Sequence, residues 1–282
     1  MNFKLLNKID FFRKWLLPLL FCASCLEAVP NNSQEKPLVV LITSYNNQDV
    51  VKKNLQSVFM QRYSNYRVIY IDDCSTDNTE AVAKAASRSF LQKNHVTFIR
   101  NKERKGALAN IYYAVHSCKD DEIIVSLDGD DWFAHKEVLK RINEAYASPD
   151  VWLTHGSLIE YPNRSSSWCI PIQKEIVSSN GFRTYRCPSH LRTFYAWLFK
   201  KIYIEDLVYE GSFFPMTWDQ AMMFPMVEMA GERHLYISEI LYVYNVANAI
   251  NDNKVNPQLQ NDLEAYIRSM PPYHRLDKSP LE

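Results

Sequence analysis

The chain has 282 residues, a length that suits one large domain better than two small ones. Its 32 Lys and Arg residues balance 32 Asp and Glu residues, and a net charge of zero argues against a nucleic-acid-binding protein, because that class carries a basic surface. Six cysteines are too few for a disulfide scaffold, and Cys22 and Cys25 have no second Cys-x-x-Cys or His pair with which to form a zinc site.

Residues 1–30 have the pattern of a targeting segment. Basic side chains come first, and an apolar run from Trp15 to Leu26 follows and ends among small residues. This run is short for a membrane span, so we predict a signal peptide that leads to export or to the lumen of the secretory pathway. A short uncleaved N-terminal anchor, which would be the chain's only membrane contact, and a helix packed on the domain stay open as alternatives.

Buried strands and amphipathic helices alternate from residue 38 to residue 155. Apolar, β-branched runs predict strands at 38–42, 68–71, 96–99, 122–127 and 151–154. Helical spacing of apolar residues predicts helices at 50–59, 77–93, 106–117 and 134–146. This alternation is typical of an α/β fold with a mostly parallel sheet and helices on both faces.

Polar turns follow four of these strands. They lie at 43–46, 72–77, 101–105 and 128–131. Ligands of open α/β sheets bind outside the carboxyl ends of the strands, so the turns predict one shared site.

The pattern is looser beyond residue 156. Predicted there are loops and short hairpins at 157–189, a helix at 190–202, a Met-rich helix at 217–230 kinked at Pro225, and an extended segment at 235–246. The residues after 250 are polar and contain prolines, as in a loosely held tail.

These patterns predict three segments. They are the targeting segment at 1–30, a domain at 37–250 and a polar C-terminal tail at 251–282. Within the domain we distinguish a first half at 37–156 from a smaller second half at 157–250.

The sequence Asp128-Gly129-Asp130-Asp131 ends the fourth predicted strand. Three carboxylates in four residues repel one another unless a cation joins them, and Mg²⁺ and Mn²⁺ bind carboxylate oxygens and share them with phosphates. A solvated acidic turn is the alternative. The position beside three other polar strand ends favours a metal site.

Other ligand-binding and catalytic classes lack their motifs here. The sequence contains no GxGxxG, no GxxxxGK[ST] and no GxSxG, which argues against dinucleotide-binding, P-loop and α/β-hydrolase proteins.

Three motifs occur in order: LITSYN at 41–46, IDDCSTDNT at 71–79 and LDGDD at 127–131. Together they resemble the family 2 glycosyltransferases, which are inverting enzymes with a GT-A fold and a DxD motif. Residues 101–110 resemble the third loop of that family. The resemblance covers 37–156, and more weakly extends to 247. It implies a Rossmann-like sheet with a smaller acceptor-side half.

The resemblance also implies a reaction. A sugar would pass with inversion from a nucleotide-sugar donor, most often a UDP-sugar, to a hydroxyl of a glycan, protein or lipid-linked acceptor, with Mn²⁺ or Mg²⁺ as cofactor. A non-catalytic GT-A-fold protein that binds a nucleotide or glycan is the alternative. A nucleotidyltransferase is disfavoured because the first loop is neither Gly-rich nor basic.

The same resemblance suggests roles for residues of the nucleotide pocket. Thr43 and Tyr45 would line it, and the tyrosine ring would stack on the base. Asp73 would accept a hydrogen bond from the uracil, with Asp72 as its competitor, while Asp77 would cap the following helix.

Further residues would hold the diphosphate and the metal. Lys105, or else Arg104, would approach the diphosphate. Asp128 would lie near the ribose and the metal, Asp130 would be the main metal ligand, and Asp131 would lie behind them.

A general base is expected in the second half of the domain. Asp219 in Trp218-Asp219-Gln220 matches the family's position best, although the family usually has Glu where this chain has Trp218. Glu205 and Asp206 are the alternative. The aromatic residues around His190 suit an acceptor wall or the core. Cys169 and Cys187 could pair in an oxidising compartment.

Nucleotide sugars also constrain the location. They are available in the cytoplasm and in the eukaryotic secretory lumen, and not in a bacterial periplasm. We therefore expect either a lumenal enzyme or one whose N-terminal anchor leaves the domain in the cytoplasm.

Overall fold

Hydrophobic strands form a large, mostly parallel sheet in a computed structural model that describes residues 35–91, 95–165, 169–248 and 252–282. Within these ranges eight strands join in the order β3-β2-β1-β4-β7-β6-β10-β5. They are β1 (Leu38–Ser44), β2 (Tyr66–Asp72), β3 (Val96–Arg100), β4 (Ile123–Asp128), β5 (Trp132–Phe133), β6 (Leu153–Tyr161), β7 (Arg192–Tyr195) and β10 (His234–Asn245). Two further strands, β8 (Val208–Tyr209) and β9 (Ser212–Phe213), form a separate hairpin.

The described residues also form helices, several of which pack against the sheet. They are α1 (Val51–Phe59), α2 (Thr79–Leu91), α3 (Ala107–His116), α4 (Val138–Ala145), α5 (Lys174–Ser178), α6 (Ala196–Phe199), α7 (Trp218–Ala230), α8 (Asp252–Val255) and α9 (Pro257–Ser269). Single 3₁₀ turns occur at Phe182–Thr184 and Ile204–Leu207. In the described ranges no helix combines the length and the apolar character that crossing a membrane requires. The predicted segment 1–30 lies outside the described residues.

The sheet confirms the predicted fold class. β1 lies between β2 and β4 and is parallel to both, and its Leu38–Ile42 run is buried on both faces, as a central parallel strand must be. β6 and β10 are also parallel, whereas β7 runs antiparallel to both of its neighbours. The polar ends of β1, β2 and β4 therefore meet at one edge.

The predicted helix at 190–202 is wrong. Arg192–Tyr195 forms strand β7, which pairs with β4 on one side and β6 on the other, and only Ala196–Phe199 is helical. All four strand residues are buried, so no alternation of exposed and buried positions marks the run as a strand. Pairing on both sides satisfies the backbone of this buried segment.

Residues 252–282, predicted as a tail, pack on the rest of the protein and belong to the same compact unit. Leu263 and Ile267 of α9 are buried. Nearby, Arg183 donates to both carboxylate oxygens of Glu228 at 2.6 and 2.9 Å, and its third nitrogen donates to the Ile267 carbonyl at 2.7 Å. Glu228 also accepts a hydrogen bond from the Tyr273 backbone at 2.9 Å. A buried ion pair thus attaches the C-terminal segment.

We predict that Glu228→Gln lowers the free energy of unfolding by about 3–5 kcal/mol, because it leaves the buried Arg183 guanidinium without its countercharge. Urea denaturation measures the change. The control is Glu137→Gln, which removes an exposed pair with Arg62 and should cost at most about 1 kcal/mol. Equal effects of the two variants would contradict the prediction.

Candidate active site

A cavity of about 640 Å³ opens at the carboxyl edge of the sheet. It collects predicted residues from both halves of the domain. Those that line it are Thr43, Tyr45, Arg104, Asp128, Asp130 and Asp219. Residues far apart in sequence therefore share one space.

The turn after β4 is held tightly against β1. The Gly129 backbone donates to the Thr43 carbonyl at 2.9 Å, and a Cβ at Gly129 would lie 2.6 Å from the Cβ of Ser44. Only glycine fits this close approach. The Asn54 amide donates to the carbonyls of Asp128 and Asp131 at 2.9 and 2.8 Å, and these two hydrogen bonds hold the turn in place.

Burial and mutual repulsion govern the three carboxylates of this turn. Burial and the charge of Asp128 raise the pKa of Asp130 to about 6, although the Asn248 amide donates to it at 2.7 Å. Burial and the two neighbouring charges hold the pKa of Asp131 well above its usual range. Asp131 accepts hydrogen bonds from Tyr242 Oη at 2.5 Å and from the Asn245 backbone at 2.6 Å. The site is thus short of positive charge.

Asp128 differs from its two neighbours. Burial would raise the pKa of its carboxyl, but the hydrogen bond and charge of His190, the charge of Arg192 and the Tyr242 hydroxyl outweigh burial and lower it. His190 Nε2 lies 3.2 Å from Asp128 Oδ2. Burial and the charge of Arg192 lower the pKa of His190 and so favour its neutral form. Neutral imidazole is a metal ligand.

Asp128, Asp131 and His190 each offer a ligand atom, and these atoms lie within 4.8 Å of one another. The predicted ligands were Asp128 and Asp130. The cluster contains Asp128 but has Asp131 in place of Asp130, which lies in the same turn and lines the cavity. The position of His190 beside Asp128 was missed because the strand β7 was missed. Since β7 is antiparallel to β4, residues just before Arg192 must lie beside the end of β4.

The nucleotide side of the cavity contains Thr43 and Tyr45. The Arg104 guanidinium lies 4.1 Å from the centre of the Tyr45 ring, a cation–π distance. Lys105 points elsewhere: its ammonium lies 5.6 Å from the ring of Tyr113. Of the two candidates for the diphosphate contact, Arg104 is therefore the one in the cavity wall.

Asp73 holds the loop that carries these cations. It accepts hydrogen bonds from Asn101 Nδ2 at 2.7 Å and from the backbones of Lys105 and Gly106 at 2.9 and 2.8 Å. Burial acts to raise the pKa of Asp73, but the hydrogen bonds from Asn110 and this loop outweigh it and lower the pKa. Asp73 is buried and does not line the cavity.

The two other acidic residues of this motif have structural partners. Asp72 pairs with the Arg100 guanidinium and accepts from the Ser75 backbone at 2.9 Å. Asp77 accepts from the backbone of Thr79, the first residue of α2, at 2.9 Å.

Asp219 lies in the first turn of α7. Arg192, which is 3% exposed, donates from Nη2 to Asp219 Oδ2 at 2.7 Å. No hydrogen bond from the described residues reaches Oδ1. The alternative pair does not line the cavity, and Asp206 accepts from Tyr273 Oη at 2.5 Å while Glu205 is exposed.

No disulfide joins Cys169 to Cys187, the pair that the sequence suggested. Cys187 lines the cavity, and burial raises the pKa of its thiol well above the usual range, which disfavours the reactive thiolate.

The sheet, with its carboxylate-bearing turn after β4, matches the GT-A class of glycosyltransferases. The sequence profile of "Glycosyl transferase family 2" matches residues 39–208, and the chain belongs to that family. The predicted family and fold are thus confirmed.

Curated relatives match only in part. An uncharacterized glycosyltransferase of Haemophilus influenzae is 30% identical over 144 residues, which are 50% of this chain and 46% of the relative. The chain therefore spans about half the length of that relative.

Two solved structures share the fold. S. aureus TarS 1–349 in complex with UDP has a TM-score of 0.57 and 17% identity, over 74% of this chain and 60% of TarS. The mannosyltransferase PcManGT from Pyrobaculum calidifontis, in complex with GDP-Man and Mn²⁺, also has a TM-score of 0.57, with 16% identity over 86% of this chain and 67% of PcManGT. At these identities the likeness establishes the fold alone.

We predict that Mn²⁺ binds about tenfold more weakly at about pH 5 than at about pH 7.5, because a proton competes for Asp130 once the pH falls below its pKa of about 6. Calorimetric titration of Mn²⁺ measures the affinity. Asp130→Asn should bind more weakly and lose most of this pH dependence. The exposed Asp121→Asn serves as control and should behave like the parent protein. A pH-independent affinity in the parent protein would contradict the prediction.

Proposed function

We propose that this protein is a metal-dependent, inverting glycosyltransferase that moves a sugar from a nucleotide-sugar donor, preferentially a UDP-sugar, to an acceptor hydroxyl. One observation carries the proposal: a single cavity joins the Asp128–Asp130 turn, Tyr45 and Asp219. The solved structures with this fold include one with UDP and one with GDP-Man and Mn²⁺, which supports a nucleotide and a metal here.

The residues of the turn fit a divalent cation. Asp130 has a raised pKa because it is buried beside another carboxylate, and such a site gains when a cation replaces the missing positive charge. Asp128 and Asp130 would hold Mn²⁺ or Mg²⁺, with His190 beside them. The bound ion would neutralise the charge that develops on the leaving diphosphate.

The donor would lie along β1. The Tyr45 ring would stack on the base, Thr43 would line the pocket, and Asp73 would shape its floor through the loop it holds. Arg104, stacked on Tyr45, carries a positive charge toward the diphosphate. Lys105 would contribute through its backbone.

Asp219 would act as the general base. Arg192 holds Oδ2 and orients the carboxylate, and Oδ1 stays available for a proton. The acceptor oxygen would bond to the anomeric carbon on the face opposite the diphosphate. The bond from that carbon to the diphosphate oxygen breaks, and the acceptor proton passes to Asp219. Attack from the opposite face inverts the anomeric configuration.

The location stays a proposal from the sequence pattern. Residues 1–30 would act as a signal peptide for export or delivery to a secretory lumen, or as a short membrane anchor. The acceptor would be a glycan, a protein or a lipid-linked molecule.

We predict that UDP with Mn²⁺ stabilises the protein against thermal unfolding, by ~2.7 kcal/mol at a ligand concentration of about 100 times the Kd. The melting temperature should rise less with GDP, and should not rise after chelation or in Asp130→Asn. Folded protein that shows no rise with any nucleotide would contradict the proposed donor site.

We predict that Asp219→Asn lowers kcat by about 10²–10⁴-fold, because the acceptor hydroxyl loses its base, while stabilisation by UDP and Mn²⁺ is retained. Sugar transfer is measured by release of UDP, and the anomeric configuration of the product by NMR. Glu205→Gln is the matched control and should keep full activity, since Glu205 is exposed away from the cavity. Retained activity in Asp219→Asn would assign the base elsewhere. UDP binding without transfer in the parent protein would favour the non-catalytic binding protein.

A further inference from the structure

We infer that a polar stripe on helix α1 positions the carboxylate turn, Asp128–Asp131, for a divalent cation. The polar stripe consists of Asn54 and Ser57 of α1 and of Gln61, which lies two residues past the end of the helix. Asn54 and Ser57 are three residues apart and therefore share one face of the helix. The inference rests on the proposed function, in which two carboxylates of the turn hold the cation.

Asn54 connects the two ends of the carboxylate turn. Its side-chain NH₂ group has two hydrogens to donate, and it donates to the carbonyls of both Asp128 and Asp131, at 2.9 and 2.8 Å. The Asp131 backbone also donates to the Asp128 carbonyl, at 3.1 Å, so the three residues form a closed network. This network fixes the backbone from which the carboxylates extend.

The other two side chains of the polar stripe hold the chain beyond the turn. Ser57 Oγ accepts a hydrogen bond from the Phe133 backbone at 3.1 Å. Gln61 Nε2 donates to the His135 carbonyl at 2.7 Å, and Gln61 Oε1 accepts from the Leu139 backbone at 3.0 Å. The polar stripe thus holds the main chain from the carboxylate turn to the start of α4.

The burial of Asn54 indicates that the amide is retained for its donors. The residue is 0% exposed, and its Oδ1 has no hydrogen-bond partner among the described residues. A buried acceptor without a partner is costly, so an apolar side chain would be favoured here if the two donated hydrogen bonds contributed little. These bonds oppose the mutual repulsion of the three carboxylates, which acts to spread the turn.

Asn54 is therefore a positioning residue. It would reach the cation only through the backbone of the residues that hold it. A turn that is held together before the cation arrives needs little rearrangement when the cation binds, so the affinity of the site depends on the polar stripe. Contacts that orient metal ligands in this way typically change metal affinity by about 10–100-fold.

The test is calorimetric titration of Mn²⁺ into the full chain. We expect Asn54→Ala to weaken Mn²⁺ binding by about 10–100-fold, because the turn spreads once the two donated hydrogen bonds are lost. The melting temperature without metal verifies that the variant is folded.

The matched control is Asn143→Ala. Asn143 is also buried and also makes two hydrogen bonds, which it accepts from the Lys36 backbone at 2.9 Å and from Tyr63 Oη at 3.0 Å. Lys36 precedes the first residue of β1, whereas the carboxylate turn lies beside the other end of that strand. Asn143→Ala should lower the melting temperature and leave the Mn²⁺ affinity unchanged.

An Asn54→Ala variant with the Mn²⁺ affinity of the parent protein would overturn the inference. Equal losses of affinity in Asn54→Ala and Asn143→Ala would also overturn it, since the effect would then be one of general stability. Ser57→Ala, which removes the acceptor of the Phe133 backbone, decides the question if Asn54→Ala does not fold. Weaker Mn²⁺ binding in Ser57→Ala supports the inference, and unchanged binding overturns it.

The same titration separates this inference from the proposed function. A folded parent protein that binds no Mn²⁺ would overturn both. A parent protein that binds Mn²⁺, together with variants of the polar stripe that bind it equally well, would overturn this inference alone.

Discussion

Crowding of three carboxylates in one turn is the constraint on which the site depends. Asp128, Asp130 and Asp131 cannot all be ionised cheaply in a largely buried place, and neighbouring polar groups contact each of them. His190 contacts Asp128, the Asn248 amide contacts Asp130, and Tyr242 with the Asn245 backbone contacts Asp131. All of these partners come from the second half of the domain. The carboxylate turn thus organises residues that lie more than 60 positions away.

Strand β7 makes this arrangement possible. It lies antiparallel between β4 and β6, so its first residues lie beside the end of β4, where the carboxylates begin. Arg192 is buried there, interacts electrostatically with Asp128 and donates to Asp219. One guanidinium therefore connects the carboxylate turn with the candidate base. The position of Asp219 depends on the sheet as well as on its own helix.

The first half of the fold could be predicted from the sequence because each strand there is a short apolar run that ends in a polar turn. The Asp128–Asp131 cluster was predicted from the same local patterns, whereas Tyr45 was predicted from the resemblance to the family. The antiparallel strand was not, since Arg192–Tyr195 is buried on both faces and has no alternation to distinguish it from a helix. His190 was consequently placed among the aromatic residues and not beside Asp128.

The C-terminal segment shows a second limit of sequence patterns. Its polar composition suggested a tail, but its attachment comes from the buried Arg183–Glu228 pair and from hydrogen bonds to main-chain carbonyls. Contacts of this kind depend on tertiary neighbours and leave no local period in the sequence. The direction of the Lys105 side chain also depends on tertiary contacts. Asp73 holds the loop, the Lys105 ammonium lies near Tyr113, and Arg104 is therefore the cation in the cavity wall.

The close approach of Gly129 to Ser44 has a consequence for how such chains can diverge. The backbone of the turn contacts the Ser44 side chain of β1. Residues 242–248 donate hydrogen bonds to the carboxylates of the turn. These three regions must change together or not at all. A chimera that joins the first half of one relative to the second half of another would therefore inherit mismatched partners for its acidic turn, even if both parents have the same sheet.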